Sequence, residues 1–211
     1  MDNYIKEYCG NFEFDFVEHI SSKIADISIN IDAYEAQKNI DGIIHSREKA
    51  LVNLTKNNLK YQCELFEEHN YENSFFKVML NGHSYLFFRK TLYGFTLLDT
   101  ETMCEFYNYV PQAIKTGEES FIITDVKQIG EIFVLDGCYW ACPYQCFAYD
   151  FKSKLFVNVS HYLGIISLDD STVKDNKLIL NGRDSNNDDV TKEFTREELA
   201  KLISKNGLCE I

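Results

Sequence analysis

Hydrophobic and polar residues alternate near the start of the chain. Phe12, Phe14 and Phe16 stand against Glu13 and Asp15, and Ile27, Ile29 and Ile31 are separated by polar residues. A period of two places apolar side chains on one face of a strand, which predicts half-buried strands near 11–18 and 24–31. The spacing then changes. Asp32-Ala33-Tyr34-Glu35 can open a helix, because Asp caps the first turn and Glu three positions on reaches back. Ile40, Ile44, Leu51 and Leu54 follow at near-helical spacing. A helical insertion is therefore predicted over 33–57, with Gly42 as the point where it would divide.

From residue 73 the alternation returns. Phe75–Leu80 and Ser84–Phe88 flank Asn81-Gly82, a pair that supplies the positive φ angles of a two-residue hairpin turn. Gly94–Phe106 then reads as strand, polar turn, strand, and Cys146–Phe156 repeats that pattern about fifty residues later. In both, a strand ends in an Asp, Asp99 or Asp150, whose carboxylate can accept from amides two residues on. Each repeat follows two further candidate strands, 74–80 and 84–90 in the first, 120–124 and 131–136 in the second. This gives two blade-like four-stranded units, with an incomplete third at 164–168, 177–180 and 190–194. At the end, Thr195 and Glu198 form a capping box, acidic residues fill the first turn and lysine the last, and Gly207 ends a helix over 196–206. The expected fold is mainly β, a β-rich α+β arrangement of antiparallel meanders with a helical insertion at 33–57 and a C-terminal helix. It is read as one domain over 1–211, made of 1–72, the meander repeats 73–194 and the helical end 195–211.

Composition adds limits. With 45% hydrophobic and 14% aromatic residues in 211, the chain can bury a core, and two prolines leave no Pro-rich linker. A net charge of −12 argues against nucleic acid, whose binding needs clustered cations, and favours a basic partner. Apolar runs such as Ile132–Leu135 fall far short of the roughly 20 residues of a bilayer span, and Met1–Glu7 lacks the basic and apolar regions of a signal peptide. A cytoplasmic protein away from membranes is expected. The seven cysteines, an odd number, are expected to be reduced thiols.

The densest cluster of unusual residues is Asp136–Cys146, which holds Cys138, Tyr139, the single Trp140, Cys142, Pro143, Tyr144 and Cys146. Three readings of it stay open. Cysteines four apart share a face, so Cys138, Cys142 and Cys146 can be weighed as a thiolate metal site, although zinc signatures use closer pairs and a second pair. Cys138 or Cys142 can be weighed as a nucleophile with His161 as the first histidine to test. The plainer alternative puts small cysteines in a core layer beside Trp140. Asp184–Asp189 lacks the central Gly and terminal Glu of a calcium loop and reads as a hairpin loop. No cofactor motif is present.

Gly137–Tyr144 followed by Tyr149-Asp150-Phe151 resembles a segment of uncharacterised bacterial proteins with propeller-like β-meanders. The resemblance covers residues 120–160 and does not include Cys146. It implies a blade-like hairpin pair and carries no activity. Taken together, the sequence favours a non-enzymatic protein-binding module, in one concrete form an immunity-type protein, with Tyr139, Trp140 and Tyr144 as its binding surface. A small thiol enzyme is the alternative. Oligomeric state is not indicated.

Overall fold

A computed structural model describes residues 12–24, 26–66, 75–111, 120–140 and 142–209. The strands form four antiparallel sheets, and in each sheet every strand pairs with its neighbour in sequence. The first sheet holds β1 (Asp15–Ile24), β2 (Ile27–Ile40), β3 (Ile43–Lys56) and β4 (Leu59–Phe66), and the second holds β5 (Phe75–Leu80), β6 (His83–Phe88), β7 (Phe95–Asp99) and β8 (Glu105–Tyr109). The third holds β9 (Ile122–Ile129), β10 (Ile132–Cys138), β11 (Gln145–Asp150) and β12 (Leu155–Asn158). The fourth holds β13 (Ser167–Lys174), β14 (Lys177–Arg183) and β15 (Asp189–Thr195). Two helices complete the described elements, α1 (Val159–Tyr162) and α2 (Arg196–Asn206). The chain divides into two compact units, Met1–Val78 with Ser84–Val110, and Met79–His83 with Pro111–Ile211.

Local turn chemistry fixes the meanders. Asn81 and Gly82 adopt φ of 51° and 75° between β5 and β6, the left-handed pair that matches the twist of the flanking strands. Asp99 Oδ1 accepts from the amides of Glu101 and Thr102 at 2.8 and 2.9 Å, and Asp150 accepts from those of Lys152 and Ser153 at 3.1 and 3.2 Å. Both four-stranded units read from the sequence are present, as β5–β8 and β9–β12. The incomplete third unit is the β13–β15 sheet, but its first strand begins at Ser167, since 163–166 form the turn after α1. Asp184 closes the β14–β15 loop by accepting from the amides of Asn186 and Asp188.

Residues 33–57 are not helical, contrary to the spacing argument. They belong to β2 and β3, joined by Asp41-Gly42 at φ 53° and 85°. Ile29, Ile31 and Ala33 sit opposite Leu54, Val52 and Ala50, all buried. The apparent helical period arises from reading positions on two antiparallel strands as one series across a turn. Asp32 caps nothing; its Oδ1 lies 2.7 Å from His19 Nδ1 on the neighbouring strand.

The first strand begins at Asp15, and residue 11 of the expected 11–18 strand lies outside the described residues. Phe12, Phe14 and Phe16 do not enter the core. Arg47 lies over the Phe12 ring at 5.4 Å and Lys49 over Phe14 at 4.7 Å, while Phe16 meets Tyr34 edge-on at 5.9 Å. Cation–π and aromatic contacts thus occupy the face of the first sheet opposite its core. The core of this unit joins Ile27, Ile29, Ile31, Val52 and Leu54 to Phe75, Leu86, Phe88 and Leu98 of the second sheet.

In the other unit, Val134, Cys146, Ala148 and Val157 of the third sheet pack with Leu168, Leu178 and Leu180 of the fourth and with Leu199, Leu202 and Ile203 of α2. The Thr195–Glu198 capping box is formed as the sequence predicts. Gly207 ends α2 at φ −67°, not in the left-handed region. A Cβ there would lie 2.5 Å from the Ile203 carbonyl, so close approach is what requires the glycine.

Candidate interaction site

The Asp136–Cys146 stretch is divided by its own hairpin. Asp136 on β10 and Cys146 on β11 are register partners and are buried, whereas Tyr139, Trp140 and 142–144 lie in the loop between the strands. At Gly137 the β9–β10 register shifts, and a Cβ would come 1.9 Å from the Ile122 carbonyl. The extra residue of this bulge is Thr124 on β9, and Gly137 and Cys138 stay in the ladder opposite Ile123 and Ile122. Tyr139 packs edge-on to Phe121 at 5.6 Å, and its carbonyl accepts from the Cys142 amide at 2.9 Å. Trp140 stands 73% exposed and Tyr144 48%.

Antiparallel pairing brings more apolar surface to this end of the sheet. Phe147 at the start of β11 is opposite Asn158 at the end of β12, so the chain leaves β12 beside the β10–β11 loop. The Cys146 amide donates to Ser160 Oγ at 2.7 Å and the Leu168 amide to the Tyr144 carbonyl at 2.9 Å. These bonds hold the 159–168 connection against the loop, and the connection carries exposed Tyr162 and Ile166. Next to them, Tyr139, Phe147, Phe156, Val157, Asn158, Asn206 and Leu208 line a cleft of about 310 Å³. Leu208 closes one side by exchanging backbone hydrogen bonds with Phe156, each 2.7 Å long.

The cysteines do not act together. Cys146 is fully buried, Cys138 is half-buried and Cys142 is exposed. Burial pushes the Cys146 thiol well up, and the Asp136 carboxylate adds to this; burial, then Cys142, also pushes the Cys138 thiol up. A thiol raised in this way carries less thiolate at neutral pH and is a poorer nucleophile. His161 is exposed on α1, where its amide donates to Asn158 Oδ1 at 2.9 Å. Among the described residues no cysteine sulfur is hydrogen-bonded to a histidine, and no group of three His, Cys, Asp or Glu side chains is placed to hold a metal ion. The core layer expected beside Trp140 contains Cys146 but neither Cys142 nor the tryptophan itself.

Two polar clusters escape sequence reading. In the second unit Asp136 Oδ2 accepts from Lys127 Nζ at 2.7 Å and from the Ser171 hydroxyl, and Lys127 also reaches Asp125. Burial by itself would lower the Lys127 pKa, but the bonds to Asp125 and Asp136 outweigh it and raise it. In the first unit Glu105 accepts from Tyr61 and from Lys90, with Cys63 beside them. Burial opposes ionisation of Glu105, yet its bonds with Lys90 and Tyr61 prevail and hold it below the usual carboxylate range. Burial pushes the Cys63 thiol up to about 12 and raises the Tyr61 phenol as well. Both clusters therefore hold charge in pairs and keep their thiols protonated. They draw residues from β9, β10 and β13, or from β4, β8 and the segment after β6, so spacing along the chain gives no sign of them.

The fold and this site define a protein of paired β-meander units with an aromatic, partly cleft-shaped surface at one end of a sheet. No protein-family model matches the chain, and no curated protein matches it. Among the described residues no helix is long and apolar enough to cross a membrane.

Proposed function

We propose that this chain is a non-enzymatic protein-binding module whose partner docks on the loop end of the β9–β12 sheet. The observation that carries this reading is the exposure of Trp140, at 73%, among exposed Tyr144, Tyr162 and Ile166. Scattered surface apolar residues need no explanation, but a group of large ones marks an interaction surface, and Trp and Tyr concentrate binding energy at protein interfaces. The net charge of −12 favours a basic partner by accelerating encounter. An immunity-type protein that neutralises a basic toxin is the concrete form. The thiol-enzyme reading, at Cys138 or Cys142, loses support at Cys138, whose thiol is pushed up by burial.

The test is photo-crosslinking from position 140 in the native cell, identification of the captured protein, and its titration as a purified protein. A Trp140→Ala change is expected to weaken that complex on the order of thirtyfold or more, the loss typical of an interface hot spot. Equal affinity of the wild-type and Trp140→Ala chains for every captured protein would refute the reading.

A further inference from the structure

A third polar cluster lies on the face of the first sheet opposite its core. Residues two apart on a strand share a face, so His19 and Ser21 of β1 stand on one side of the sheet. The register sets Asp32 and Asn30 of β2 directly opposite them. The intervening residues face the other way: Ile29 and Ile31 are fully buried, and Ile20 packs against the core. Four polar side chains are thus held above two strands whose other face is anchored.

Their contacts run in one line. Asp32 Oδ1 lies 2.7 Å from His19 Nδ1, His19 Nε2 lies 3.0 Å from Ser21 Oγ, and Ser21 Oγ lies 2.8 Å from Asn30 Oδ1. The protons assign the roles. A carboxylate only accepts, so the proton on Nδ1 belongs to the bond with Asp32. In the neutral ring Nε2 then has a lone pair and no proton, and the donor at its hydrogen-bond distance is the Ser21 hydroxyl. The Asn30 amide serves Ser21 in either protonation state of the ring, because it offers an oxygen and, after half a turn about its last bond, an NH2 group. Its oxygen accepts from Ser21 when the imidazolium donates to Oγ, and its NH2 donates to Oγ when Ser21 donates to the neutral ring.

A hydroxyl within reach of a base, with the base oriented by a third group, is the arrangement that activates serine as a nucleophile. Here the supports are two paired strands, which hold side chains more precisely than loops do. The His19 side chain is 52% exposed and that of Asp32 30%, and Ser21 is exposed as well. A reagent therefore reaches the hydroxyl without opening the fold.

We propose that Ser21 is an acyl-accepting nucleophile, with His19 as its general base and Asp32 as the residue that positions His19. Its reagents are activated acyl donors, thioesters and aryl esters. Ser21 Oγ bonds to the acyl carbon while the bond from that carbon to the leaving sulfur or aryl oxygen breaks. The hydroxyl proton passes to His19 Nε2 and from there to the departing thiolate or phenolate. The products are an ester at Ser21 and a free thiol or phenol. Ser21 is thus a point of covalent modification, which goes beyond the docking reading and needs no partner at the Trp140 loop.

Treatment of the full chain with p-nitrophenyl acetate at neutral pH, followed by tandem mass spectrometry that assigns acetyl groups to residues, tests the proposal. Ser21 is expected to be acetylated on the order of a hundredfold faster than Ser185, an exposed serine in the β14–β15 loop. Ser22, which follows Ser21 but is opposite Ile29, should stay unmodified. His19→Gln is expected to bring Ser21 down to the rate of Ser185. Asp32→Asn should slow it on the order of tenfold, and Asp32→Glu should restore it, a rescue that a merely structural role would not require. Far-ultraviolet circular dichroism of each variant should match the wild-type chain. A Ser21 acetylated no faster than Ser185 overturns the proposal, as does an equal rate in the wild-type and folded His19→Gln chains.

Discussion

Asp136 and Cys146 lie at the two ends of a stretch that the sequence presents as one cluster, yet they share little with the residues between them. The two ends face each other across a strand pair, and the carboxylate is held by Lys127 and Ser171. Between them, Trp140 and Tyr144 meet solvent. Residue types rare elsewhere in the chain thus serve two ends. Inside, a polar rung ties the third sheet to the fourth, and outside a short loop displays aromatic surface. Local density of unusual residues identifies a structural event, here a strand pair and the loop that joins it, without saying which side of it is the site.

The sharpest way to break the comparison is at the buried end. Replacing Lys127 by Met keeps the aliphatic length but leaves Asp136, 7% exposed, without its cation. Removing one partner of a buried pair typically costs about 3 to 5 kcal/mol, and chemical denaturation should show a loss of that size. The same change at Lys90 should cost less, because Glu105 is more open to solvent, at 35% of its side-chain surface against 10% for Asp136. Equal losses at the two lysines would mean that burial does not separate the clusters.

How much of this was legible depended on the range of the interaction involved. Asn81-Gly82, Asp99, Asp150 and the Thr195–Glu198 box act within a few residues, and each does in the structure what its chemistry predicts. The error over 33–57 is instructive because Asp41-Gly42 has the same turn chemistry as Asn81-Gly82. An apparent capping pattern at Asp32 and four apolar residues near the helical period outweighed it, although Ile27, Ile29, Ile31 and Ala33 were already alternating into β2. The exposure of Trp140 was not legible, since the local pattern places it in a loop after β10 without saying whether that loop turns to the core or to solvent. The lysine and serine that hold Asp136 come from 9 and 35 residues away, a distance that no local pattern spans.

The thiols separate the two ends by a smaller effect. Cys142, exposed, should be the first of the Asp136–Cys146 cysteines to react with an alkylating agent at neutral pH, and Cys146 should react only as the protein unfolds. The pH dependence has a definite sign. A thiol in the unfolded chain titrates near its ordinary value of 9.0, whereas Cys63 is pushed up to about 12 and Cys146 well above 9.0. Between those values the unfolded state has lost protons that the native state keeps, so stability falls as pH rises. It is fully present below pH 9.0 and declines through the alkaline range. Denaturation midpoints that stay level from neutral pH up to about 11 would contradict burial of these two thiols.

The smallest expected effect on stability is at the other end of the same stretch. Truncating a buried Trp to Ala removes packing worth about 3 to 5 kcal/mol, but Trp140 keeps 73% of its surface in water, and such surface changes usually stay within about 0.5 kcal/mol. Thermal and chemical denaturation of Trp140→Ala should therefore match those of the wild-type chain. The single tryptophan also reports its own surroundings: its emission should be red-shifted and readily quenched by iodide in the free protein. A loss of several kcal/mol, or blue-shifted and protected emission, would place Trp140 in a core and remove the physical basis for treating the loop as a docking surface. An unchanged stability together with a lost complex would assign the indole to binding alone.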